Sequence, residues 1–223
     1  MVDPLSKDKL KSVYNKVASR YDWQHSFFTL NADQKGRKLV VSHTINSGDQ
    51  VIDAGAGTGT TALMAAQKAG SKGKVTLYDF NEEMLNKARE KAEKAHLTDR
   101  LTFRQGDIEK LPFEGGSFDV GLSTYSMCPL YKPSVAAKEL YRVIRAGGKI
   151  GIAHSIAPQN AAIKKLSEWV ENIYWKIPEL SLGCRAVEVL PTLESRGGKL
   201  IFKKKIGVPL WPFLVFVVEK PKG

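Results

Sequence analysis

Leu10, Val13, Tyr14 and Val17 recur at helical spacing among Lys7, Lys9, Lys11 and Lys16 and predict an amphipathic helix. Tyr21-Asp22-Trp23 follows, and a second helix-like run extends from about Asn31 to Ile45, closed by Ser47-Gly48. Residues 1–47 therefore read as an N-terminal helical cap. The pattern then changes. Val51-Ile52-Asp53-Ala54 is a short apolar run that carries an acid and breaks into Gly55-Ala56-Gly57-Thr58-Gly59, which predicts a buried strand, a sharp turn and a helix from Thr61 to Lys68 that stops at Gly70. Val75 to Asp79 reads as a second strand, followed by a helix capped by Asn81, with Glu82 and Glu83 in its first turn and Lys91 and Lys94 in its last.

Leu101 to Gln105 and Phe118 to Ser123 read as strands three and four, Pro133 to Ile144 as a helix that exits at Gly147-Gly148, and Lys149 to Ala153 as strand five. Ile163, Leu166, Val170, Ile173, Tyr174 and Ile177 then recur at helical spacing beside Trp169 and Trp175, so residues 155–183 read as a helical lid insertion. A helix from about Cys184 to Arg196, interrupted by Pro191, precedes strands at Leu200–Ile206 and Phe213–Glu219, an antiparallel hairpin across Gly207–Pro212 at the sheet's edge. Strands alternating with helices predict an α/β fold: a doubly wound, Rossmann-like seven-stranded sheet, mostly parallel, within a single domain over residues 1–223.

A hydrophobic share of 43% and a charged share of 26% suit a globular domain and exclude disorder as the main state. The charge is unbalanced, with 34 Lys plus Arg against 23 Asp plus Glu, formally +11. That field favours nucleic acid, an anionic membrane surface or an acidic small molecule without choosing among them. Cys128 and Cys184 are too few and too separated for a zinc site or a disulfide framework, no metal site is expected, and a reducing cytoplasm is the default. No run approaches the ~18 apolar residues of a membrane span, and the lysine-rich start does not read as a signal peptide. The expected location is cytoplasmic, with a peripheral position on a membrane left open.

The glycine loop is a cofactor cradle, yet Thr60 stands where the dinucleotide fingerprint needs its third glycine, which disfavours a nicotinamide. The loop, Asp79 closing strand two, Gln105 to Phe113, Ser117-Phe118-Asp119-Val120 and Glu139 to Gly148 occur in the order seen in class I S-adenosylmethionine-dependent methyltransferases. Within these the chain most resembles the ubiquinone/menaquinone-biosynthesis group and its type 11 relatives, over roughly residues 12 to 153. The resemblance implies S-adenosyl-L-methionine as cofactor and S-adenosyl-L-homocysteine as product.

It also implies roles. Gly55, Ala56, Gly57 and Gly59 would pass under the methionine part, Asp53 would hold its ammonium through water, and Tyr21 would close over that end. Asp79 would accept both ribose hydroxyls. Phe80, Met84, Gly106, Asp107 and Ile108 would bound the adenine, with Asp107 accepting from its amino group. Ser123 and Thr124 would lie beside the methyl, and His154 or Tyr125 are the candidate bases for the acceptor. The blander alternatives are a turn acid for Asp107, a core cap for Tyr21, a structural histidine for His154, a small filler for Cys128 and an exposed edge strand for Lys203, Lys204 and Lys205.

The quinone enzymes' Gly-Leu-Arg-Asn after strand four aligns with Ser126-Met127-Cys128-Pro129, which keeps neither arginine nor asparagine. The aromatics of the last third, interleaved with Lys164, Lys165 and Lys176, suit a lid over an apolar substrate or docking on an anionic bilayer. A hydrophobic small molecule, such as a quinol or a lipid head group, is therefore the expected acceptor. The competing readings are an RNA methyltransferase, which lacks support from any nucleic-acid module or Asn-Pro-Pro-Tyr motif, and a non-catalytic cofactor-binding subunit.

Overall fold

β1 (Gln50–Ala54), β2 (Lys74–Asp79), β3 (Leu101–Gln105), β4 (Phe118–Thr124) and β5 (Ile144–Ser155) run parallel, β7 (Trp211–Glu219) pairs antiparallel with β5, and β6 (Lys199–Val208) pairs with β7 at the edge. The strand order is β3-β2-β1-β4-β5-β7-β6 in a computed structural model that describes residues 4–222. This is the doubly wound, mostly parallel sheet with a terminal antiparallel hairpin that the alternation predicted. Phe213 to Val218 of β7 are buried without a break, as a strand covered on both faces requires. Lys203, Lys204 and Lys205 are all exposed on β6, where lysine discourages pairing with another sheet.

The helices are α1 (Lys7–Val17), α2 (Tyr21–Phe28), α3 (Ala32–Thr44), α4 (Thr60–Ala69), α5 (Glu82–Lys94), α6 (Pro133–Val143), α7 (Ala161–Tyr174), α8 (Pro178–Ser181) and α9 (Leu190–Glu194). On one face of the sheet Val40, Ala62 and Leu85 pack on Val51, Leu77 and Val215; on the other Leu140 and Leu193 pack on Ile52, Ile150 and Phe216. A third cluster joins the α1 stripe of Leu10, Val13, Tyr14 and Val17 to Tyr21, Met84 and Leu182. The α1 periodicity thus points at the mouth of the sheet rather than at its faces.

Four expectations change. Tyr21 to Phe28 form a helix of their own, because Leu30 and Asn31 take left-handed φ values of 50° and 60° and separate it from α3. Gly147-Gly148 do not release a helix into a loop: β5 begins at Ile144, and residues 145–148 bulge between the Phe118–Ile144 and Val120–Lys149 pairs. A Cβ on Gly148 would press on the Asp119 carbonyl, so the bulge needs glycine there. The predicted Cys184–Arg196 helix shrinks to Leu190–Glu194, with Pro191 in its first turn, where its missing N–H costs nothing. Upstream of it, Val187 N donates to Ser155 O at 3.1 Å and holds the chain against β5. The final hairpin is longer than predicted and turns at Pro209-Leu210.

Candidate functional site

A parallel sheet gathers the carboxyl ends of β1, β2 and β4 on one side, and loops leaving them share a crevice. Gly55 and Gly57 adopt φ of 77° and 53°, a conformation that side chains resist. Ser126 fills the space a Gly55 Cβ would need, and its Oγ donates to Ala54 O at 3.1 Å, tying the end of β4 to the loop of β1. Asp79 Oδ2 accepts from Gly57 N at 2.7 Å and Oδ1 from Asn81 N at 2.9 Å. Burial pushes the Asp79 carboxyl up to about 6, against the pull of these backbone donors. The rest of its lone-pair capacity faces a cavity lined also by Gly55, Gly57, Phe80 and Met84.

The roof comes from elsewhere in the chain. Leu10 and Tyr14 of α1 and Tyr21 of α2 line the cavity from above, and Pro129, Leu130 and Tyr131 close its side. Tyr14 Oη donates to Leu182 O at 3.0 Å, and Gln24 Nε2 to Glu179 O at 2.6 Å, so α8 carries the first two helices. Lys7 Nζ reaches across to the Asp107 carboxylate and donates to Glu109 Oε2 at 3.0 Å. Asp22 pins α2 to the glycine loop: its Oδ1 accepts from Thr58 Oγ1 at 2.6 Å, its Oδ2 from Lys91 Nζ at 2.8 Å. Burial works against the Asp22 charge, yet Lys91 and Thr58 hold its carboxyl below the usual range.

The model of a methyltransferase domain family matches residues 45–197, which include the whole glycine loop and both acidic strand ends. The chain belongs to the class I S-adenosylmethionine-dependent methyltransferases. It is 32% identical over 145 residues to the Rhizobium johnstonii ubiquinone/menaquinone biosynthesis C-methyltransferase UbiE, covering 63% of this chain and 56% of that one. It is 28% identical over 165 residues to the demethylmenaquinone methyltransferase of Lactobacillus johnsonii, covering 74% and 68%. The chain thus spans little more than half the length of the Rhizobium relative. In fold it matches a SAM dependent methyltransferase from Aquifex aeolicus with a TM-score of 0.60 at 22% identity, over 82% of this chain and 88% of that one.

The cavity wall brings together Tyr21, Gly55, Gly57, Asp79, Phe80 and Met84, with Asp107, Ile108, Thr124 and Tyr125 beside them. Six expected residues stand off it. Ala56 is buried in the core beneath the loop, and Ser123 is buried with its Oγ 2.5 Å from that of Ser126. Gly59 makes room for Ala88 and Leu77 where α4 starts against α5, and Gly106 makes room for the Tyr78 hydroxyl. Neither of these two glycines lines the cavity.

Asp53 is 1% exposed, and neither carboxylate oxygen has a hydrogen-bonding partner. Burial pushes its carboxyl up to about 7, with Asp79 adding to the rise and Arg37 opposing it. A partnerless buried acid beneath a cradle of positive-φ glycines suits a ligand with a cationic end and an approaching backbone, as the methionine end of S-adenosylmethionine has.

His154 is corrected. Its ring is fully buried in the sheet's core, edge-on to Phe216, with Nδ1 2.9 Å from Ser155 O, and it does not line the cavity. Tyr125 does line it, but its hydroxyl faces the Ala32 and Asp33 carbonyls, both at 3.4 Å, and burial holds the phenol protonated. Its hydroxyl is thus turned to α3 as a donor. Gly36 leaves the space for that hydroxyl.

Sequence reasoning missed Leu5, Lys7, Tyr14 and the Pro129–Tyr131 side of the cavity. It also missed Arg37, 5% exposed, whose Nη1 donates to Thr61 Oγ1 and Thr124 Oγ1, both at 2.8 Å, and so fixes a cavity-lining threonine. Asp33 lies within 3.8 Å of Arg37 and 3.2 Å of His25 Nδ1. Burial alone would raise the Asp33 carboxyl, but His25 and Arg37 hold it well below the carboxylate range. The Asp33–Arg37 spacing of i, i+4 on a helix was the available signal. Among the described residues no cluster of His, Cys, Asp or Glu is arranged to hold a metal.

Proposed function

We propose that the protein transfers the methyl group of S-adenosylmethionine to an uncharged, hydrophobic small molecule, with a quinol or a lipid as the leading acceptors. One observation carries this reading: the only charged side chains lining the cavity among the described residues are Lys7, Asp79 and Asp107, all on the cofactor side. Toward the acceptor the wall is Pro129, Leu130, Tyr131 and Tyr125, which offer apolar surface and no charge to an acidic or cationic substrate.

Asp79 would hold the ribose and Asp107, once Lys7 yields, the adenine amino group, while Phe80, Met84 and Ile108 supply apolar contact to the ring. Gly55 and Gly57 admit the methionine end and Asp53 offsets its ammonium. The bound cofactor supplies an electrophilic methyl on a sulfonium. What the chain contributes is alignment: Thr124, fixed by Arg37, and Tyr125, fixed by α3, are rigid walls against which an acceptor is oriented, and such positioning accounts for several kcal/mol of a displacement barrier.

The names of the relatives support a quinol as acceptor, and the loss of the Arg-Asn pair at Cys128-Pro129 favours an apolar acceptor outside strict quinone specificity. The test is transfer from labelled S-adenosylmethionine to detergent-dispersed demethylquinols, to phospholipids and to RNA. Label in a quinol or lipid, undiminished by salt, is expected. Label in RNA alone, falling steeply with ionic strength, would replace this reading with the nucleic-acid one.

A further inference from the structure

The helix with the clearest apolar stripe, α7, buries only Ser167. Leu166, Trp169, Ile173 and Ile177 stand 45% to 61% exposed. A stripe at that spacing normally faces a core. A second exposed group lies at the end of α2, where Trp23 and Phe27 stack at 5.4 Å and reach 69% and 61% exposure, followed by Phe28 and by Leu30 at 71%.

The two groups form one surface. Phe28 meets Tyr174 edge to face at 6.1 Å, and Tyr174 meets Trp211 at 5.7 Å, so the last turn of α2, α7 and the tip of the final hairpin are continuous. Ser167 Oγ donates to Leu210 O at 3.0 Å and fixes α7 on that tip. A contiguous patch of indole, phenyl and branched aliphatic side chains is beyond what single exposed apolar residues explain.

We propose that this patch seats the protein on the surface of an anionic bilayer. Lys164, Lys165 and Lys176 flank the α7 stripe, all exposed, with Glu168 the exposed acid among them, on a chain whose formal charge is +11. Tryptophan and phenylalanine beside lysine is the composition that settles at the boundary of headgroups and acyl chains, with the cations over lipid phosphates. A second copy of this chain would instead set the same lysines against each other. The proposal rests on the reading of an apolar acceptor for its purpose, since the same short helix, α2, carries Tyr21 into the cavity and exposes Trp23, Phe27 and Phe28.

Flotation with phosphatidylcholine vesicles, with and without phosphatidylglycerol, tests it. The wild-type protein floats with the phosphatidylglycerol vesicles and far less with phosphatidylcholine alone. The variant Trp23→Ser/Phe27→Ser/Trp169→Ser loses at least about tenfold in partitioning, because each anchor removed is a large apolar side chain. It keeps wild-type affinity for S-adenosylhomocysteine, since none of the three lines the cavity. Failure of the wild type to float, equal flotation of the variant, or a wild-type dimer in sedimentation that the variant turns into a monomer overturns the proposal. Failure to float with transfer to a detergent-dispersed quinol or lipid intact overturns the docking surface alone. Flotation intact with only RNA methylated overturns the acceptor reading alone.

Discussion

The floor and the roof of the cavity are built on different principles. The floor is backbone: Gly57 N and Asn81 N hold Asp79, Tyr78 O holds Gly55 N at 2.7 Å, and every group sits at a strand end fixed by the sheet. The roof is side chains. Lys7 on Asp107 and Glu109 and Lys91 on Asp22 are partly exposed ion pairs, each worth at most ~1 kcal/mol, and Lys16 meets Glu179 in the open. The floor is fixed by the sheet, whereas the roof stands on the buried apolar cluster of Leu10, Val13, Tyr14 and Val17 and on the hydrogen bonds to α8, with the ion pairs at its rim the part that separates most easily.

The sharpest way to break this contrast is at Asp79. Asp79→Ala should lower affinity for S-adenosylhomocysteine by ~100-fold or more in calorimetry, as charged acceptors contribute about 1.5–3 kcal/mol per bond. Wild-type affinity at Asp79 would sink the idea that the floor carries the binding. Because burial raises this carboxyl to about 6, affinity should also weaken as the pH drops below that value and the acceptor takes up a proton.

Asp53 is the floor's cost in stability. Its carboxyl is held at about 7 against an ordinary 3.8, so the folded state binds a proton more tightly than the unfolded chain. Stability present at low pH is therefore lost as the pH rises through that window, on the order of 4 kcal/mol in full. Asp53→Asn removes the charge but leaves an amide equally unpartnered, which returns part of the gain. Denaturant melts should show the variant ~2 kcal/mol more stable at pH 8, no more stable at pH 4, and weaker in binding S-adenosylhomocysteine.

Gly36 sharpens the contrast from the α3 side. Glycine to alanine inside a helix ordinarily stabilises, but here the new Cβ meets the Tyr125 hydroxyl. Gly36→Ala should lose about 1 kcal/mol or more, and Gly36→Ala/Tyr125→Phe should recover most of it. The smallest effect belongs to the roof: Lys7→Ala should change the melting midpoint negligibly and speed release of S-adenosylhomocysteine by no more than about fivefold in stopped flow.

The same contrast decides what the sequence reveals. Floor residues lie within a few positions of a strand end, so Gly55, Gly57, Asp79 and Asp107 are legible from local pattern and chain order. The roof depends on contacts between residues far apart, such as Lys7 with Asp107 and Tyr14 with Leu182, and no local pattern carries those. Cys128 and Cys184 illustrate it. Their sequence separation argued against a zinc site or a disulfide framework and said nothing of a contact, yet the fold brings the Cys184 thiol close enough to draw the Cys128 one below its usual range. His154 failed for the opposite reason, since a place just past a strand does not say which face its ring takes, and here it is the core. The α7 stripe was read correctly as a helix and only the structure shows that its apolar side lacks a covering element among the described residues.

The strand order has a consequence during synthesis. β7, the last of the seven strands to be made, is an interior strand and separates β5 from β6. Until it emerges, β5 presents a bare, apolar edge on the growing chain, and β6 has no sheet to join. The first five strands would form an incomplete, aggregation-prone intermediate, and closure of the sheet waits on pairing of Lys149–Ser155 with Phe213–Glu219, far away along the chain. Truncation within β7 should therefore be felt in soluble yield long before any residue of the cavity is touched.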